Sequence, residues 1–223
     1  MTGQGKDWHT WHDGYDAPAS NLARRLAVVQ EQIRFALDSG APGPVRVVSL
    51  CAGQGRDLLG ALETHPRRHE VRARLVELDP RNAAAARGAA AAAGLGGIEV
   101  VTGDAALTDQ YLGMVPADVV LLCGLFGNII DQDVKMTIAY CPSLCQCGAT
   151  VLWTRHRRPP DLVPQICRWF EQRGFERQFV TEPDLGFGVG AHRFTGPPEP
   201  LAPGRQMFTF VGRDRLRQLG LTS

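Results

Sequence analysis

Between residues 45 and 173 the chain switches repeatedly between short apolar runs of β-type and stretches that suit a helix, and this alternation constrains its fold more than any other property. The strand-like runs lie at 45 to 51, 71 to 78, 98 to 103, 117 to 123 and 148 to 154, with helix-forming stretches at 55 to 64, 80 to 93, 105 to 112, 131 to 140 and 161 to 173. Strands joined through helices run parallel, because each crossover must return to the same end of the sheet, and the helices then cover both faces. After residue 174 the rhythm changes. The segments 175 to 181, 187 to 194 and 207 to 211 are strand-like with no helix between them, so antiparallel strands are expected at one edge. The predicted fold class is α/β: a doubly wound sheet, mostly parallel, with antiparallel C-terminal edge strands.

Ahead of this pattern stand two further pieces. Residues 1 to 18 crowd Trp8, His9, Trp11, His12 and Tyr15 among Gly and Asp without helical or strand periodicity, and read as an arm. From Ser20 a helix is expected, with Ser20 or Asn21 as its N-cap and Leu22, Leu26, Val29, Ile33 and Leu37 as an apolar stripe, ended by Ser39-Gly40 and two prolines. The organisation is thus 1–44 as arm and helix, a candidate lid, and 45–223 as the main domain. A length of 223 residues, 44% of them hydrophobic and 21% charged, suits one domain with a sizeable core.

The ligand signal sits at the first strand end. In an open parallel sheet ligands lie beyond the carboxyl ends of the strands, where strand order reverses. There the run Val45 to Leu50 empties into Cys51-Ala52-Gly53-Gln54-Gly55, and a helix resumes with Arg56-Asp57-Leu58-Leu59. Glycine lets backbone amides approach a nucleotide-like ligand, and the helix N-terminus favours its polar groups. Glu77 then ends the second apolar run, within Glu77-Leu78-Asp79-Pro80. Pro80 suits the first helical position, which makes Asp79 the N-cap and leaves Glu77 for the ribose hydroxyls. After the third strand, Gly103-Asp104-Ala105 offers a carboxylate suited to an adenine amino group. A nicotinamide dinucleotide site would place a third glycine near Leu58, and none stands there.

These motifs, in this order and spacing, resemble the class I S-adenosylmethionine-dependent methyltransferases over roughly residues 45 to 195, and the chain is similar along its length to actinobacterial-type members of that class. The resemblance implies a Rossmann-like fold, S-adenosyl-L-methionine as cofactor with S-adenosyl-L-homocysteine as product, and cofactor contacts from Cys51, Ala52, Gly53, Gly55, Asp57, Glu77, Leu78, Asp104, Ala105 and Cys123. The family pattern has an acid where Ser49 stands and a glycine where Cys51 stands, so Asp57 or Arg56 is expected to meet the methionine end. Tyr15, with Trp11 and His12, is the arm's candidate to cover that end and exclude water.

Methyl transfer from a sulfonium is an in-line displacement, so the protein has mainly to position the nucleophile and, where needed, take its proton. After the fourth strand comes Cys123-Gly124-Leu125-Phe126-Gly127-Asn128, where Phe126 could pack on adenine or substrate and Asn128 could hydrogen-bond either. After the fifth comes Arg155-His156-Arg157-Arg158. His156 is the first candidate for general base, and Arg155, Arg157 or Arg158 for holding an anionic group. The catalytic set is therefore His156, Asn128 and Arg155.

Cys141, Cys145 and Cys147, expected in the loop before the fifth strand, match neither the paired zinc spacing nor that of radical enzymes, so no metal is expected. No N-terminal apolar segment and no run long enough to cross a bilayer is present, which points to a cytoplasmic protein. A formal net charge of +1 argues against a nucleic-acid partner. The expected function is methyl transfer to an O, N or S nucleophile of a small, anionic-type molecule, with a homodimer as the candidate assembly. The alternatives are a non-catalytic nucleotide-binding regulatory module and an aminopropyl transferase on the same scaffold.

Overall fold

The computed structural model describes residues 20–220, so Tyr15, Trp11 and His12 lie outside the described residues. A leading helix α1 (Asn21–Ser39) is followed by β1 (Val45–Leu50), α2 (Arg56–Leu62), β2 (Val71–Glu77), α3 (Pro80–Ala92), β3 (Ile98–Thr102), β4 (Ala117–Leu122), α4 (Asp131–Leu144), β5 (Cys145–His156), α5 (Val163–Glu171), β6 (Phe175–Val180), β7 (Phe187–Phe194) and α6 (Arg213–Gln218). Ser20 caps α1, its hydroxyl accepting from Ala23 N at 3.0 Å.

The seven strands form one sheet in the order β3-β2-β1-β4-β5-β7-β6. The pairings from β3 through β5 are parallel. Strand β7 runs antiparallel to both β5 and β6. The fold class is the one expected. Burial on both faces is visible within single strands: Val47 and Val48, neighbours in β1 and both fully buried, belong to opposite apolar clusters. The Val47 face packs Val29, Ile33 and Leu37 of α1 and Leu58 and Leu62 of α2. The Val48 face packs Ile138 of α4 and Phe170 of α5, with Trp153 of β5 between Phe126 and Phe170 at ring separations of 6.1 and 6.3 Å. Helix α1 therefore belongs to the core of the sheet domain, and Gln30 Nε2 ties it to α2 through Arg56 O at 2.8 Å.

Three expectations are corrected. The stretch 105 to 112 forms only a short 3-10 helix, Thr108–Tyr111. Its preceding turn is closed by Asp104 Oδ1 accepting from Ala106 N at 2.9 Å, and Tyr111 points back to donate to Ala105 O at 2.8 Å. Residues 207 to 211 are not a sheet strand. They run across the carboxyl ends of the strands, where Met207 N donates to Ala106 O at 2.8 Å and Thr209 N to Asp133 Oδ2 at 2.8 Å. Their β-type alternation is real, yet their partners are loops and the first turn of α4. The cysteines are not in a loop either: α4 ends at Leu144 and β5 begins at Cys145, which puts Cys141 in the helix and Cys145 and Cys147 in the strand. Among the described residues no helix is long and apolar enough to cross a membrane, and no cluster of ligating side chains could hold a metal ion.

Candidate active site

Strand order reverses between β1 and β4, and a cavity of about 480 Å³ opens over that point. Its floor is the turn after β1. Cys51 adopts φ +53°, Gly53 +56° and Gly55 +69°. This left-handed backbone turns the chain from strand to helix within a few residues. A Cβ at Gly55 would lie 2.8 Å from Leu75 Cδ2, so glycine there serves both the turn and the packing of α2 on β2. Cys51 takes the same conformation with a side chain, which accounts for the glycine that the resemblance led one to expect at this position.

Glu77 locks the turn to β2. Its Oε2 accepts from Gly53 N at 2.8 Å and its Oε1 from Asp79 N at 2.9 Å. Burial pushes its carboxyl up from the ordinary value near 4.5, while the two backbone amides pull the other way. Glu77 is thus less free than the sequence implied, although each oxygen keeps a lone pair for a further donor. Asp79 is the N-cap of α3 as expected, its Oδ1 accepting from Arg81 N at 2.9 Å. The Arg81 guanidinium beside it holds its carboxyl down to about 2.

The cavity divides chemically. Towards β2 and β3 its wall is Glu77, Leu78, Asp104 and Ala105, with Leu78 66% exposed at the rim. Towards β1, β4 and β5 it is Cys51, Asp57, Cys123, Gly124, Asn128 and Thr154, with Arg25 and Leu26 reaching in from α1. Asp57 Oδ1 accepts from Leu58 N at 2.8 Å, and burial raises its carboxyl, opposed by the amide bonds and by nearby Arg25. Burial likewise pushes the Cys51 and Cys123 thiols up, so both are neutral thiols rather than nucleophiles at pH 7. Ser49 is buried within β1, and Asp57 is the acid that faces the cavity in its stead.

The wall thus brings together Cys51, Ala52, Gly53, Asp57, Glu77, Leu78, Asp104, Ala105, Cys123 and Asn128, whereas Gly55, buried in the turn, does not line it. Arg155 and His156 are not in it. Arg155 is 2% exposed, donating from Nη1 to Phe126 O and from Nη2 to Asp131 Oδ1 at 3.4 Å, so it braces β5 against the loop after β4. His156 stands beyond it, its pKa lowered to about 4 by burial and by the charges of Arg155, Arg213 and Arg158. Phe126 is wholly buried against Trp153, away from the cavity. Asn128 lines the wall with its amide already engaged: Nδ2 donates to Gly124 O at 2.6 Å and Oδ1 accepts from Arg213 N at 3.0 Å.

Sequence reasoning missed the cavity's other contributors. Arg25 and Leu26 come from α1, part of the candidate lid, and Phe208 and Phe210 from the strand-like segment 207 to 211. The available signal was Phe208-Thr209-Phe210, whose alternate positions face one side of any extended chain. Phe208 is buried and Phe210 is 38% exposed at the mouth.

No protein-family model matches the chain, and no curated protein matches it. Among solved structures it is similar to an O-methyltransferase family protein from Burkholderia thailandensis, with a TM-score of 0.62 and 20% identity, over 81% of this chain and 58% of that one. It is also similar to magnesium protoporphyrin IX methyltransferase from Synechocystis with bound S-adenosylmethionine, with a TM-score of 0.61 and 11% identity, over 87% of this chain and 100% of that one. A third is 1,6-didemethyltoxoflavin-N1-methyltransferase from Burkholderia thailandensis with bound 1,6-didemethyltoxoflavin and S-adenosylhomocysteine, at TM-score 0.61 and 17% identity, over 84% of each chain. The likeness at these identities is one of fold: the chain has the Rossmann-like fold of class I methyltransferases.

Proposed function

We propose that this protein is an S-adenosylmethionine-dependent methyltransferase acting on a small molecule. The observation that carries the reading is the orientation of Glu77, whose carboxylate is held by Gly53 N and Asp79 N at the cavity wall, opposite the Asp104 carboxylate at the end of the neighbouring strand. Two fixed acceptors at adjacent strand ends fit the donors of an adenosine, its ribose hydroxyls and its exocyclic amine. When bound, the cofactor supplies an electrophilic methyl group on a sulfonium.

The chain's own residues bind and orient. Glu77 accepts the ribose hydroxyls, Asp104 accepts from adenine, and Leu78 and Phe210 cover the base at the rim. Asp57 faces the ammonium of the methionine end. Among the described residues of that end the titratable groups are neutral thiols, the arginines Arg25 and Arg56 and one carboxylate raised by burial, and none is a strong base. The acceptor therefore enters as a nucleophile in its own right, an amine, thiolate or ionised oxygen, and the protein contributes chiefly by aligning it and excluding water. His156 would serve as base only through a water or a shift of the loop after β5.

Calorimetric titration with S-adenosylhomocysteine and, separately, with NAD tests the cofactor. Micromolar binding of the former with none of the latter is expected, and NAD binding in its place would refute the reading. Turnover is tested by release of S-adenosylhomocysteine over a panel of small nucleophiles; tight cofactor binding without turnover on any of them would favour a regulatory module.

A further inference from the structure

Thr154 stands near the carboxyl end of β5 and lines the cavity. The pleat sets its face. Trp153 packs in the cluster on the α4 and α5 side, whereas Leu152 and Val189, the partner of Thr154 in β7, belong to the cluster under α1 and α2. Thr154 therefore shares the α1 side of the cavity with Leu26 and Val29, next to Cys123 and Gly124 at the end of β4. Its hydroxyl is held from one side only. The residue is 1% exposed, and Oγ1 accepts from Gly124 N at 2.8 Å. A hydroxyl also donates, yet among the described residues this one has no recipient. A Cβ on Gly124, at φ +79°, would meet nothing within 4 Å, so the cavity is open beside the amide that holds the hydroxyl. A buried donor without a recipient, at the wall of a ligand cavity, is one that a ligand satisfies.

We propose that Thr154 binds the methyl acceptor: its hydroxyl donates a hydrogen bond to an uncharged oxygen, a carbonyl or ether, on a molecule seated under α1. The proposal rests on the cofactor reading above, which puts the adenosine at the ends of β2 and β3 and the methionine end over β1. Strand order then assigns the remainder of the cavity. Next to β1 comes β4 and next to that β5, so the end of β5 lies two strand spacings, about 10 Å, from β1 on the side away from the adenosine. A donor there meets what is bound beyond the sulfonium. The wall sets the charge of that molecule. Leu26 and Val29 are apolar and Cys123 is a neutral thiol, so nothing in them compensates a buried anion. Arg25 has the Asp57 carboxylate within electrostatic reach. Of the nucleophiles named above, a neutral amine fits this compartment with the least desolvation, and Thr154 orients it through the oxygen it carries.

This compartment differs from the anion site expected of the run 155 to 158. None of Arg155, His156, Arg157 and Arg158 lines the cavity; Arg155 pairs with Asp131 and Arg157 with Asp161. The residue that does line it from β5 is the one just before that run.

The test uses the full chain saturated with S-adenosylhomocysteine, titrated with the ortho, meta and para isomers of aminoacetophenone and with the matching ethylanilines, which keep the shape and lack the carbonyl. Methyl NMR shifts at Leu26 and Val29 report binding. At least one aminoacetophenone should saturate, about tenfold more tightly than its ethylaniline. Thr154→Val keeps the side-chain shape and removes the hydroxyl, and should bring that ratio to within about twofold of unity, whereas Thr154→Ser should keep it. A merely structural role for Thr154 would weaken both members of the pair alike and leave the ratio as it is. If Thr154→Val is unstable, Thr154→Ala removes the same hydroxyl and decides. No saturation by any isomer, or an undiminished ratio in the variant that lacks the hydroxyl, would overturn the proposal. Failure of the parent to bind S-adenosylhomocysteine would instead overturn the cofactor reading.

Discussion

Replacing Glu77 by alanine removes one carboxylate from two jobs, and the structure allows each to be sized. Towards the fold, Glu77 accepts from Gly53 N at 2.8 Å and from Asp79 N at 2.9 Å. A hydrogen bond to a charged group contributes about 1.5–3 kcal/mol, but burial of this carboxylate, which already raises its pKa, offsets part of that. A net loss of about 1–3 kcal/mol of stability is expected, read from urea unfolding. Towards the cofactor, the ribose hydroxyls lose their acceptor and the Gly53 turn loses its tether, for about 1–3 kcal/mol of binding, or roughly 5- to 150-fold in Kd. Glu77→Gln is not a mild substitute, because one arm of its amide is a donor that must face either Gly53 N–H or Asp79 N–H. It should fall close to alanine. The pH dependence follows in sign: a raised native pKa means that the native state holds its proton above pH 4.5, and ribose donors favour the ionised form. Affinity for S-adenosylhomocysteine should therefore rise with pH from about 4.5 upward until the carboxyl is ionised, and this rise should vanish in Glu77→Ala. Calorimetry on a variant shown folded by circular dichroism reads both. Unchanged affinity in that variant would refute the assignment of Glu77 to the ribose.

Other consequences are as open to measurement. Cys51 at φ +53° carries left-handed strain that glycine would not, so Cys51→Gly should be neutral or stabilising by up to about 1 kcal/mol, whereas β-branched Cys51→Val should cost about 1–2 kcal/mol; the reverse order in urea unfolding would show that side-chain packing outweighs the backbone. Asn128→Ala cuts the bonds to Gly124 O and Arg213 N and should cost about 1–3 kcal/mol, with faster amide exchange at residues 211 to 213; unchanged exchange there would mean that the Asn128 backbone alone holds the segment. His192, fully buried with Nδ1 accepting from Trp153 Nε1 at 3.1 Å, has its pKa lowered to about 3 by burial and by Arg177. The unfolded chain takes up a proton near pH 6.5 that the native state refuses, so stability should fall as pH drops from about 6.5 towards 3. In His192→Gln the slope of Tm against pH over that window should be shallower, and an equal slope would assign the loss to other groups.

What could be seen in the sequence was whatever is local. The strand ends at 50, 77, 102 and 122 were legible within a residue, because each run is rich in β-branched and apolar residues and is followed at once by turn or cap residues. Glu77, Asp79 and Gly55 were legible for the same reason, since each acts within a few residues of a turn it helps to make. Their division of labour, with Asp79 capping and Glu77 facing the cavity, follows from Pro80 alone. The glycine turn even marked its own irregularity at Cys51, where the backbone proves to require the left-handed conformation.

What only the tertiary structure decided was which distant segments share that cavity. Arg155 and His156 stand at a strand end, as site residues should, yet the pleat and the neighbouring loop turn Arg155 into the core and leave His156 outside the wall. Residues 207 to 211 have the pattern of a strand, but a strand is an agreement between two segments, and none of the seven strands of the sheet pairs with them. Those residues found their hydrogen bonds on the loops after β3 and β4 and on the first turn of α4 instead, and brought Phe208 and Phe210 to the cavity. Arg25 arrived by the packing of α1 on α2, 26 residues ahead of the turn that begins at Cys51. Periodicity reports which face of an element is apolar; it does not say against what that face will be laid. That choice belongs to long-range packing, and the composition of this site was settled there.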